Sequence, residues 1–129
     1  MDGKYILDTN IVIPLFTGDK NILAKLAQVN EVFISSIVLG ELYYGALKSA
    51  RIIENLKKID DFAIGCTVLA CDAETAEEYG RIKAELSQKG KMIPENDIWI
   101  AAVTRQYDLT IVTKDEHFAY IENLKISNW

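Results

Sequence analysis

The sequence predicts an α/β fold with a mostly parallel sheet. Short apolar segments of strand length alternate along the chain with longer, helix-like ones. The strand-like segments are apolar at consecutive positions, the mark of strands covered on both faces. No internal repeat, low-complexity tract or Pro/Gly/Ser-rich linker breaks the alternation, so the 129 residues are expected to form one domain.

Residues 4–8 read as the first strand, which ends abruptly in Asp8-Thr9-Asn10. Residues 10–17 read as a short helix and 20–29 as a second. Val32 to Ser35 is the second strand, after which Ser35 or Ser36 can cap a helix running to about Lys48. Residues 51–63 carry the apolar period of an amphipathic helix. Thr67 to Leu69 is a third strand, and residues 73–89 form a long charged helix stopped by Gly90. Residues 96–107 form another helix, with Asn96 as its cap. Leu109 to Val112 is the fourth strand, 116–121 a helical turn, and Leu124 to Ile126 an edge strand.

Half the chain is hydrophobic, enough for a core without disulfides or a structural metal. Cys66 and Cys71 have no zinc-type partners nearby in sequence, and the lone histidine is His117. They are expected to be reduced, buried thiols. No signal peptide or membrane-spanning run is visible, so the cytoplasm is the expected location. The net charge of −5 argues against a generic nucleic-acid binder, unless some acids are gathered in a metal site.

In such folds ligands bind beyond the carboxyl ends of the strands, where strand order reverses. Asp8 ends the first strand and Asp115 follows the fourth in "IVTKD". Either acid could instead be a helix cap. Glu41 could not, because it lies roughly one and a half turns inside its helix. Its neighbours at helical spacing include Ile37, Val38 and Tyr44, where an unpaired carboxylate is costly. Gly40 and Gly45 flank it, and since glycine costs roughly 1 kcal/mol in a helix, close backbone approach is expected there. Asp97 opens "NDIWIAA", whose apolar continuation marks a deep helix starting at an internal cleft.

Four gathered carboxylates cannot all stay ionised without a cation. Oxygen ligands suit Mg²⁺, with Mn²⁺ as the alternative. Such ions acidify bound water and stabilise attacking and leaving oxygens, which is phosphoryl chemistry.

The stretches "YILDTNIVI", "ISSIVLGELYYGA", "IPENDIWIAA" and "LTIVTKDEHFAYIENLKISNW", in this order, resemble the PIN-domain family, and within it the VapC-type toxin ribonucleases. The resemblance covers nearly the whole chain. It implies a five-stranded parallel sheet sandwiched by helices and a metal-dependent endoribonuclease acting on RNA. It maps metal ligands onto Asp8, Glu41, Asp97 and Asp115, and polar groups that orient carboxylates or water onto Asn10 and Thr113. A cognate antitoxin that blocks the acidic pocket and a homodimer are also implied.

On this reading Thr9 or Asn10 takes the capping role and leaves Asp8 free as a ligand. His117 is expected to pack or cap rather than serve as a general base. Tyr43, Tyr44, Trp99 and Phe118 are expected in the core or an interface, and Trp129 as a structural plug. Most of Lys48, Arg51, Lys91, Arg105 and Lys114 are expected to be ordinary solvated cations. The competing readings are a PIN-like module that binds RNA or protein without cutting, and a receiver-like signalling domain. The intact acid set opposes the first. Against the second, Asp8 has no acidic neighbour of the kind a receiver pairs early in its chain.

Overall fold

The computed structural model describes residues 3–129. Strands β1 (Tyr5–Leu7), β2 (Val32–Ser35), β3 (Thr67–Leu69), β4 (Thr110–Val112) and β5 (Lys125–Ser127) form one parallel sheet in the order β3-β2-β1-β4-β5. Helices α1 (Thr9–Phe16) and α2 (Lys20–Leu26) join β1 to β2, and α3 (Ser36–Leu47) and α4 (Ile52–Ile64) join β2 to β3. The chain returns through α5 (Ala73–Lys89) and α6 (Glu95–Gln106) to β4, then through a 3₁₀ turn, Glu116–Tyr120, to β5.

Strand order therefore reverses between β1 and β4, whose Leu7 and Val112 are paired. Consecutive strand residues point to opposite faces. Ile6 and Leu7 in β1, and Ile111 and Val112 in β4, are all fully buried, so the central strands are covered on both sides. The edge strands are not: Val68 of β3 and Ile126 of β5 are partly exposed. Two-faced burial thus holds for the middle of the sheet and fails at its rims.

Local chemistry explains most boundaries. The Ser35 hydroxyl accepts from the Val38 amide at the start of α3. Asp72 and Thr75 make a reciprocal capping box at the start of α5. Gly90 ends that helix at φ 66°, a left-handed conformation that glycine adopts without penalty.

Three expectations are corrected. The cap of α6 is Pro94, not Asn96, which lies inside the first turn. Proline loses nothing there, because helix starts leave N–H groups unpaired anyway. Gly40 and Gly45 do not mark close backbone approach, since an added methyl group would meet no atom within 4 Å at either. Cys71 is exposed, because it lies in the loop after an edge strand, and only Cys66 is half-buried; both are free thiols.

Ile111 packs at the centre of the sheet. Ile111→Ala is expected to cost about 2–5 kcal/mol in urea unfolding. Ile53→Ala, at a site 86% exposed, should stay within about 0.5 kcal/mol of the parent.

Candidate functional site

Asp8 stands at the carboxyl end of β1 and Thr113 just past the end of β4, on the two sides of the reversal in strand order. Both are buried. The Asp8 Oδ1 accepts from the Thr9 amide at 2.8 Å, and its Oδ2 accepts from the Thr113 hydroxyl at 2.8 Å. The Thr113 oxygen itself accepts from the Asp115 amide at 3.0 Å and from Asn10 Nδ2 at 3.4 Å. A hydroxyl has one donor and two lone pairs. With both lone pairs engaged, its proton is committed to Asp8. Asn10 closes the clasp by accepting from the Lys114 amide at 3.1 Å.

The other acids face the same space. Asp8, Glu41, Asp97 and Asp115 all line a cleft of about 510 Å³. Glu41 projects from α3 and is held at both oxygens, by the Thr9 hydroxyl at 2.7 Å and by Asn96 Nδ2 at 3.4 Å. Asp97 lies in the first turn of α6. Its Oδ2 is 2.8 Å from His117 Nε2, and the same nitrogen is 3.8 Å from Asp115 Oδ2. Among the described residues, Asp97, Asp115 and His117 form a group able to hold a metal ion, with one ligand atom from each lying within 4.8 Å of the others. Asp8 and Glu41 face the cleft but lie outside that tightest group.

Burial pushes the Asp8 carboxyl up to about 6, against the opposing pull of the Thr113 and Thr9 hydrogen bonds and with a further push from the Asp97 and Asp115 charges. Asp97 is raised as well, first by burial, with the His117 hydrogen bond opposing and the Asp115 and Glu41 charges adding to the rise. Both carboxylates are better neutralised than bare.

Residues 5–124 match the PIN domain family. The chain belongs to the PIN-domain family. It is 42% identical over 129 residues to Ribonuclease VapC2 of Haemophilus influenzae, with 98% of each chain covered. It is 38% identical over 135 residues to the tRNA(fMet)-specific endonuclease VapC of Shigella flexneri, again with 98% of each covered. Among solved structures, DNA-bound VapBC from Salmonella typhimurium superposes with a TM-score of 0.92 at 33% identity, covering 98% of both chains. VapBC2 from Rickettsia felis, bound to a promoter DNA fragment, superposes at 0.89 with 36% identity over 97% of this chain and 98% of that one.

Within this PIN fold, three readings of single residues change. Capping and site geometry are not alternatives for Asp8: it occupies the cap position of α1 and accepts from Thr9, while its other oxygen takes the Thr113 hydroxyl. Thr9 does not cap with its side chain but bridges to Glu41. His117 does not cap; it reaches Asp97, with its ring against Phe118. Sequence order hides that last contact, because α6 runs back along β4 and the 3₁₀ turn emerges at the end of the strand where the helix began.

Other side chains behave more simply. Arg105 is not a solvated cation: it is largely buried and binds Glu78 and Glu85 of α5. Phe118 is core, Trp99 stacks on Tyr79 at 4.1 Å, and Tyr44 is exposed with Lys48 over its ring. The Trp129 ring packs near Tyr5 at 5.5 Å and its Nε1 is buried without a partner among the described residues, in keeping with a plug.

Asp8 binds its proton more tightly in the folded chain than in the unfolded one. Its ionisation therefore opposes folding as pH rises from about 4 through about 6. In metal-free protein, the stability of Asp8→Asn relative to the parent should improve by roughly 2 kcal/mol between about pH 4 and pH 7. Paired urea titrations at the two pH values check this, and the constant cost of altering the clasp cancels in the comparison.

Proposed function

We propose that this PIN-domain protein is an Mg²⁺-dependent endoribonuclease and the toxin of a type II toxin–antitoxin pair. The observation that carries the reading is the convergence of four carboxylates, from four separate segments, on one cleft at the reversal of strand order. The donor set fits a hard divalent cation: clustered oxygens, two of them on carboxyls raised by burial. Asp8, Asp97 and Asp115 would hold the ion, directly or through water, with Glu41 completing the site. Mn²⁺ could take the same place.

When bound, the ion supplies positive charge toward a phosphodiester and acidifies water for attack on it. The chain's own residues prepare the setting. The Thr113 hydroxyl and Thr9 amide fix both Asp8 oxygens, and the Thr9 hydroxyl ties Glu41 to the same turn. The cleft walls carry little positive charge of their own, so an RNA phosphate meets repulsion until a cation is present.

Similarity over nearly the full chain to proteins named as ribonucleases supports RNA as the substrate. Neighbours solved as VapBC assemblies support a cognate antitoxin as the partner. One domain spanning residues 1–129, a homodimer and action in the cytoplasm complete the proposal. Among the described residues no helix is long and apolar enough to cross a membrane.

Asp8→Asn should lower RNA cleavage in Mg²⁺ by roughly two orders of magnitude or more. Chelation by EDTA should stop the parent enzyme, and excess Mg²⁺ should restore it. Cleavage by Asp8→Asn at the parent rate, assayed on total RNA with mapped ends, would contradict the mechanism.

A further inference from the structure

The acids around the cleft differ in what holds them. Both Asp8 oxygens and both Glu41 oxygens have donors from the β1–α1 turn, Thr113 or Asn96. The carboxylate of Asp97 has one hydrogen-bond partner among the described residues, His117 Nε2 at 2.8 Å. We infer that His117 is the positioning residue of the cation site, its Nε2–H holding Asp97 in the orientation that serves the ion. This inference rests on the metal-dependent reading above.

An ionised carboxylate can only accept, so the nitrogen facing it carries the hydrogen. That bond uses Oδ2 and leaves Oδ1 for a cation. The ring is itself anchored, packing 5.1 Å from the fully buried Phe118. A fixed ring therefore transmits a fixed position to a side chain on another element. Without it, Asp97 is free to rotate at the mouth of α6, and an incoming ion must order it. The 3.8 Å separation from Asp115 Oδ2 is too long for a second hydrogen bond. It still puts the ring nitrogen near both acids, so the side chain that holds Asp97 also faces Asp115. Groups that orient metal ligands in this way typically contribute about 10- to 100-fold in metal affinity.

Mn²⁺ binding to the full-length protein, followed by the loss of the free-ion EPR signal, tests the inference without relying on activity. His117→Asn shortens the side chain so that its amide no longer reaches Asp97. His117→Gln places an amide nitrogen near the original Nε2. The asparagine variant should bind Mn²⁺ about 10- to 100-fold more weakly than the parent. The glutamine variant should recover most of that loss, and thermal melts of the metal-free proteins should agree within a few degrees.

Parent-like Mn²⁺ affinity in His117→Asn overturns the inference, as does an equal loss in His117→Gln. Nitrogen hyperfine coupling from the ring to bound Mn²⁺ also overturns it, by making His117 a direct ligand. Failure of the parent itself to bind Mn²⁺ is a different result: it removes the metal-dependent reading, and the role of His117 with it.

Discussion

The Thr113 hydroxyl donates to Asp8 because its two lone pairs are already taken by the Asp115 amide and Asn10. That single committed proton links the end of β1 to the loop after β4, across the place where strand order reverses. It also keeps a buried carboxylate satisfied, which burial alone would make costly. The remaining acids are arranged from there. Thr9, adjacent to Asp8, reaches Glu41 on α3, and Asp115, two residues past Thr113, leads into the turn that carries His117.

The sheet makes this arrangement rigid. Ile6, Leu7, Ile111 and Val112 are buried on both faces, so the two strand ends that present Asp8 and Thr113 have little room to shift. The acidic cleft is then a fixed concentration of negative charge at the carboxyl edge. Two of its carboxyls are raised by burial first and by their neighbours second, which favours a proton or a cation in their midst. On the proposed metal-dependent reading, an overall charge of −5 is compatible with a polyanionic substrate, because an ion rather than the protein surface would face the phosphate.

Much of this was legible in the sequence. Largely apolar runs in "YIL" and "LTIV" announced central strands, and Gly90 announced the end of α5. Glu41 stood out because a carboxylate inside an apolar helix needs a partner, and its partners are Thr9 and Asn96. The placement of Asp8 and Asp115 followed from the rule for parallel sheets. What stayed hidden was tertiary. The meeting of His117 with Asp97 depends on α6 packing back along β4, and a side chain that both caps a helix and faces a cleft looks like an ordinary cap in one dimension. The glycines beside Glu41 misled for a related reason: a helix glycine signals close approach only when another element arrives, and none does.

On the proposed function, these carboxylates gather around a divalent cation, as one ion or two. A crystal of the protein grown with Mn²⁺, measured at the manganese absorption edge, tests it most directly. The account predicts an anomalous peak in the cleft, in contact with carboxylate oxygens of Asp97 or Asp115 and facing Asp8. A cleft without a peak at full Mn²⁺ occupancy elsewhere, or a peak bound by other residues alone, would contradict it.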